Sequence, residues 1–200
     1  MKLSKVACAT LDGGTGKTAL AFALALDFNF YLISNDDSII ADVYEGALIT
    51  DTPQINDETV YDFGGFEDGH VIEIIKECDV LIVPVINDMT SIRKANSTID
   101  ELSPYMKGRK IIVVATRVRN DRDLAAIKKG VNHSEILPMR DTKMFKDCQE
   151  FGVGVYTLAK NDKRLRYAYR NVILEYDVLL ASMMGEDEAE ALKQSILGEV

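Results

Sequence analysis

The stretch Val6–Ala25, VACATLDGGTGKTALAFALA, decides the reading of this chain. It opens on an apolar run suited to a buried strand, turns through glycines, and continues as a helix-forming run of alanine, leucine and phenylalanine. The turn Gly13-Gly14-Thr15-Gly16-Lys17-Thr18 is a phosphate cradle by its chemistry. Three glycines permit backbone dihedrals closed to other residues, so successive N–H groups converge on one anion. The helix opening at Lys17 aims its free N–H groups and the positive end of its dipole at the same point. Lys17 is placed to reach β- and γ-phosphates, and the Thr18 hydroxyl to ligate Mg²⁺. The loop departs from the common G-x-x-x-x-G-K-[ST] pattern at its first glycine, where Leu11 stands. Asp12 adds an anion next to a loop built to hold anions.

Working outward, 200 residues suit one α/β domain with a sizeable core, expected over residues 1–185, with an acidic tail over 186–200. A formal charge of −9 argues against a surface that grips nucleic acid all over, but leaves room for a local basic patch. Cys8, Cys78 and Cys148 are scattered and odd in number, and two lie in apolar runs, as reduced core thiols do. Only His70 and His133 are available as imidazole ligands, and neither has ligand spacing with a cysteine, so no structural metal is expected. No signal-peptide pattern or membrane-length apolar run is seen, and a cytoplasmic protein is expected.

Strand-like runs then alternate with helical patterns, which predicts a doubly wound, mostly parallel sheet with helices on both faces. Strands are expected at Lys5–Thr10, Phe30–Ser34, Thr59–Phe63, Asp79–Val85 and Arg109–Thr116, with short ones at Ala47–Thr50 and Ser134–Leu137. Helices are expected after the loop to about Leu26, near Gly69–Glu77, over Ser91–Tyr105, Asp121–Lys129 and Asp141–Phe151, and as one long element over Lys163–Met183. Ligands of such sheets bind at the carboxyl ends of the strands. Asp36 and Asp37 follow the second strand, and Asp62 ends the third main one within Asp62-Phe63-Gly64-Gly65. A carboxylate at Asp62 suits Mg²⁺, one at Asp36 suits orienting an attacking water, and Asp37 reads as a cap.

In order and spacing these segments resemble the ParA/MinD group of deviant Walker P-loop ATPases, and its short partition proteins in particular. That family's loop reads K-G-G-x-G-K-T, against Asp12-Gly13-Gly14-Thr15-Gly16-Lys17-Thr18 here. Its I-D-x-D-P-Q segment stands against Ile33-Ser34-Asn35-Asp36-Asp37-Ser38, and its D-x-P-A-G switch against Asp62-Phe63-Gly64-Gly65. Its A-D-x-V-L-I-P-V-x-P strand stands against Cys78-Asp79-Val80-Leu81-Ile82-Val83-Pro84-Val85-Ile86-Asn87, and its I-x-x-R-x-x-F-x-x-A-x-x-x-G stretch resembles Ile136-Leu137-Pro138 followed by Arg140, Phe145 and Gly152. The likeness spans roughly residues 3–183.

The resemblance implies a nucleotide-driven homodimer that sandwiches ATP and Mg²⁺, hydrolyses slowly, and answers to an activator bound to DNA. It implies catalytic roles for Lys17, Asp36 and Asp62, and nucleotide contacts from residues 12–19 (Asp12, Gly13, Gly14, Thr15, Gly16, Lys17, Thr18, Ala19) and from Thr116 and Arg117. Thr18 and Asp62 would hold the metal. Three departures stand out. Asp12 replaces the lysine that the family extends to its partner's phosphates, Ser34 replaces the first aspartate of the second strand, and Thr116 replaces the base-reading asparagine. The guanine-reading N-K-x-D pattern is absent, which favours ATP over GTP.

A second stretch, Lys160–Arg170 (KNDKRLRYAYR), carries Lys160, Lys163, Arg164, Arg166 and Arg170 with Tyr167 and Tyr169 between them. The resemblance makes it a candidate surface for non-specific DNA, where phosphate contacts would dominate. A further cluster, Arg117, Arg119 and Arg122, lies past a strand end. The tail from Glu186 has the wrong sign for the basic, membrane-lying helix of the cell-division branch, so no membrane contact is expected. The expected function is a ParA-like ATPase switch in plasmid or DNA partition or positioning. A dethiobiotin-synthetase type of metabolic enzyme and a nucleotide-binding module without hydrolysis are the alternatives.

Overall fold

The computed structural model describes residues 3–36, 40–64 and 69–198. Asp37 and Gly65 lie outside them. The first half of the chain contributes β1 (Lys5–Ala9), α1 (Lys17–Phe28), β2 (Tyr31–Ser34), α2 (Ile40–Val43), β3 (Ala47–Ile49), β4 (Thr59–Phe63) and α3 (Gly69–Glu77). The second contributes β5 (Val80–Val85), α4 (Met89–Leu102), β6 (Lys110–Val118), α5 (Asp121–Gly130), β7 (Ile136–Arg140), α6 (Met144–Phe151), α7 (Val155–Asn161), α8 (Lys163–Ala168), α9 (Arg170–Met184) and α10 (Glu186–Leu197). The strands make one seven-stranded sheet in the order β3-β2-β4-β1-β5-β6-β7, and every described pairing is parallel. This is the doubly wound α/β architecture that the alternation predicts.

Both faces of the central strands β1, β4 and β5 are dry, which explains why these strands read as continuous apolar runs. Val6, Cys8, Val80, Ile82, Ile112 and Val114 face one core with α1, α6, α7 and α9. Their strand neighbours Ala7, Ala9, Leu81, Val83, Val113 and Ala115 face the other, under α3, α4 and α5. Burying each of the valine, leucine and isoleucine side chains contributes about 1.5–3 kcal/mol. Cys8, Cys78 and Cys148 are buried and unpaired, and burial pushes the Cys78 thiol up to about 12. No helix among the described residues is long and apolar enough to cross a membrane.

Local chemistry moves several boundaries. Pro138 lies inside β7 rather than after it, which the sheet tolerates because β7 is an edge strand. The single long helix expected over Lys163–Met183 is two. Asp162 accepts from the amides of Arg164 (2.7 Å) and Leu165 (3.2 Å) to start α8, and the chain leaves α8 at Tyr169, whose hydroxyl donates to Asp147 at 2.5 Å. Residues 186–197 form α10, which packs on α9 and α7 and joins them through Lys193 to Asp177 at 2.8 Å and Lys160 to the Ile196 carbonyl at 2.7 Å.

Helix α1 is buried nearly all round and organises one core. It ends at Asn29, which takes the left-handed conformation at φ 56 that suits asparagine after a helix. Near that end Asp27 is buried at the unfavourable pole of the helix dipole. It accepts from the amides of Val155 (3.0 Å) and Tyr156 (3.3 Å), and so caps α7 from 128 residues away. Gly154 makes the approach feasible, since a Cβ there would stand 2.2 Å from Asp27 Oδ1.

Burial raises the Asp27 carboxyl to about 7, and the hydrogen bonds it accepts only partly oppose this. A raised folded-state pKa means that the stabilisation from protonation is complete below the unfolded value near 3.8 and is lost as pH rises through about 7. Urea unfolding from pH 5 to 8 should therefore show the wild type losing roughly 2 kcal/mol relative to Asp27→Asn, which cannot ionise. Parallel curves for the two proteins would show that Asp27 carries no such linkage.

Candidate phosphate-binding site

Strand β1 runs at the centre of the sheet, and the loop that follows it reaches the carboxyl edge where the chain crosses between sheet halves. Gly14 (φ 75) and Gly16 (φ 84) occupy the left-handed region, Gly16 as the residue before the first turn of α1. A Cβ added at Gly13, Gly14 or Gly16 would meet no atom within 4 Å. Contact with the rest of the protein therefore does not demand glycine there, and the space over the loop is open. The Thr15 hydroxyl is buried with no hydrogen-bond partner among the described residues. An open glycine cradle with an orphaned buried hydroxyl fits an anion with oxygen acceptors.

Lys17 turns from the first turn of α1 toward two carboxylates. Its ammonium lies 2.5 Å from Asp62 Oδ1 and 3.1 Å from Asp36 Oδ2. The lysine side chain is 6% exposed and that of Asp62 0%, whereas Asp36 is half open to solvent. Strand register builds this arrangement. Ser34 of β2 and Cys8 of β1 both pair with Asp62 of β4, and the Ser34 hydroxyl donates to Asp62 Oδ2 at 3.2 Å. The same serine oxygen accepts the Asp36 amide at 3.0 Å, which folds the residues after β2 back over the site. Gly64 completes the fit. Its amide donates to Asn35 Oδ1 at 2.8 Å, and a Cβ at Gly64 would fall 2.2 Å from Asp36 Oδ1. The glycine after Asp62 is thus explained by room for Asp36.

Two adjoining cavities lie over the loop. One, of about 350 Å³, is lined by residues 12–19 with Asp36, Gly64, Arg117 and Gln149. The other, of about 250 Å³, is more apolar and opens between the loop, the ends of β6 and β7, and α6, with Leu20, Met139 and Phe145 among its walls. Thr15, Gly16, Ala19, Arg117 and Gln149 border both. A polar cradle joined to an apolar chamber matches the two halves of a nucleotide.

The remaining candidates fall into place unevenly. Thr18 lines the polar cavity with its hydroxyl unengaged among the described residues. Thr116 borders the apolar chamber, yet its hydroxyl donates to the Thr15 carbonyl at 2.7 Å and so ties the loop to β6. Arg117 stands in the left-handed region (φ 53), unusual for arginine, where the β6–β7 register slips. It is exposed and has no ion pair among the described residues. Arg119, by contrast, lies 3.5 Å from Asp141. Asp12 is engaged by Lys94 of α4 at 3.0 Å, a partner that no local pattern marks.

Lys160, Lys163, Arg164, Arg166 and Arg170 are all exposed along α7, α8 and the start of α9, apart from the loop. Lys160 donates to a carbonyl of α10, and Arg170 lies over the Tyr167 ring at 4.4 Å. Tyr167 is exposed with them, whereas Tyr169 points inward to Asp147.

No protein-family model matches the chain, and no curated protein matches it by sequence. Solved structures do match in three dimensions. Apo McdA of Cyanothece superposes with a TM-score of 0.64 at 14% identity, covering 94% of this chain and 100% of that one. The septum site-determining protein MinD of Pyrococcus horikoshii, complexed with Mg-ADP, gives 0.58 at 10% identity, covering 96% and 95%. A ParA family ATPase of Chlorobium tepidum gives 0.51 at 15% identity, covering 80% and 93%. At these identities the likeness is one of architecture: the chain has the fold of the ParA/MinD P-loop ATPases.

Proposed function

We propose that this protein is an ATP-binding switch ATPase of ParA/MinD type. It would act in the partition or positioning of DNA through an ATP-dependent homodimer, non-specific DNA contact and a DNA-bound activator. The observation that carries the nucleotide reading is the Lys17 ammonium held between Asp62 and Asp36 at the mouth of the open glycine loop. The likeness in fold to MinD complexed with Mg-ADP supports it.

The residues divide the work by position. The amides of the loop and the α1 N-terminus receive the phosphates. Lys17 exchanges its carboxylate partners for phosphate oxygens when nucleotide enters, and stabilises the charge that develops on the transferred group. That exchange frees Asp36, the more exposed of the two acids, to orient the attacking water. Asp62, hydrogen-bonded by Ser34, keeps its place in the sheet. Thr18 and Asp62 would hold Mg²⁺, which when bound would supply charge that neutralises phosphate oxygens. The apolar chamber bordered by Leu20, Met139 and Phe145 receives the base.

Steady-state hydrolysis of Mg-ATP with and without duplex DNA tests the reading. Slow turnover is expected in the wild type. Asp36→Ala should retain nucleotide binding and lose about a hundredfold or more in kcat, the usual scale for a positioned acid–base group. A variant that turns over normally would remove Asp36 from the reaction, and a wild type that binds no nucleotide would refute the proposed activity.

The DNA surface has its own test. Replacing Arg164 and Arg166 by glutamate should weaken duplex binding at every sequence alike and flatten its dependence on salt. The log–log slope should fall by about one unit for each phosphate that the protein no longer neutralises. An unchanged slope would place DNA elsewhere or nowhere on this surface.

A further inference from the structure

The Asp12 carboxylate borders the same cavity as the glycine loop, and its side chain is only 13% exposed. The cavity also borders Asp36 and Lys17, and the Lys17 ammonium is already shared between Asp36 and buried Asp62. An unpaired anion at position 12 would oppose any polyphosphate entering the loop, and water screens poorly at so small an exposure. The structure supplies the missing positive charge from outside the cavity. Lys94 reaches Asp12 Oδ1 at 3.0 Å and is not among the residues that line the cavity.

The contact is part of a wider hold of α4 on the loop's leading arm. Thr98, one turn along α4 from Lys94, donates to the Lys94 carbonyl at 2.9 Å and accepts the Leu11 amide at 3.4 Å. Thr10 accepts the Asp12 amide through its hydroxyl at 3.2 Å. Lys94 and Thr98 stand four residues apart on one helix face, so a single helix sets both the charge and the path of residues 11 and 12.

We propose that Lys94 is a positioning residue for nucleotide binding: within one chain it neutralises Asp12 and fixes the entry of the phosphate loop without touching the ligand. The proposal rests on the nucleotide reading above and not on dimer formation or DNA contact.

The test is a double-mutant cycle on the full chain, with Mg-ATP as the probe in equilibrium binding and with thermal melts of the proteins without nucleotide as a folding control. Lys94→Met keeps the aliphatic stem and removes the charge, and should weaken Mg-ATP binding roughly tenfold, one decade of dissociation constant. Asp12→Asn removes the anion that Lys94 answers and sets the reference affinity of the cycle. The double variant Asp12→Asn/Lys94→Met should recover to about the level of Asp12→Asn. Equal affinity of Lys94→Met and wild type would overturn the proposal. So would equal weakening of Lys94→Met and the double variant, because Lys94 would then act on the ligand or the fold and not through Asp12. Loss of binding in Asp12→Asn alone would assign the carboxylate itself to the ligand and overturn it too. Failure of the wild type to bind Mg-ATP would instead refute the nucleotide reading on which the proposal stands.

Discussion

A lysine held between two carboxylates is the constraint from which the site follows. Lys17 and Asp62 are both excluded from water, and burying two opposite charges is tolerated only when each keeps the other and their remaining valences are filled. The sheet meets that demand through register: Ser34 and Asp62 are opposed across β2 and β4, so the hydroxyl that steadies the acid is set by strand pairing. The loop meets it from the other side, because Gly16 in the left-handed region starts α1 where its first side chain turns toward the strand ends. Removing either partner would strand a buried charge at about 3–5 kcal/mol. A phosphate entering the loop would avoid that penalty for Lys17 by presenting oxygen to the ammonium, while Asp62 would keep the Ser34 hydroxyl. The two acids thus hold the ammonium in the place from which it would meet phosphate.

Much of this was legible in the residues alone, for physical reasons that differ by feature. The parallel sheet shows in composition because strands buried on both faces need apolar residues at every position, as in Val80–Val85. Lys17, Asp36 and Asp62 follow from a rule of sheet geometry, that loops at the carboxyl ends of neighbouring strands converge. What stayed hidden depends on long-range contact. Asp12 and Lys94 are 82 residues apart, and Lys94 has no periodic signature that separates it from any other lysine of a surface helix. The break at Tyr169 goes with a contact that helix propensity does not mark, the bond from its hydroxyl to Asp147. Likewise the cap that Asp27 offers α7 spans 128 residues and reads in sequence as an ordinary helix-end acid.

The charges around the loop form a balance in which few groups are spare. Asp36 and Asp62 share Lys17, Asp12 has Lys94, and Thr116 fastens the Thr15 carbonyl. Arg117 differs. It is exposed, borders both cavities, and sits in a backbone conformation that disfavours a residue with a Cβ. Strain of this kind, on the order of 1–3 kcal/mol, persists where neighbouring structure over-determines it, here the slipped register between β6 and β7. The slip thus sets a cation at the border of the polar and apolar cavities.

Helix α1 ties the two candidate surfaces together. Its first residue is Lys17, and near its last lies Asp27, which receives the amides that begin α7. From α7 the chain passes through Asp162, which caps the helix carrying Lys163, Arg164 and Arg166. A helix of 12 residues spans about 18 Å, so the basic face is set at a fixed remove from the phosphate loop by a rod buried in the core. Both ends of that rod are polar contacts in dry surroundings, a lysine among carboxylates at one and a carboxylate among amides at the other. Neither contact can shift alone without leaving a buried group unpaired. The spacing between the loop and the basic helix is therefore held by the packing of α1 and by the Asp27 cap.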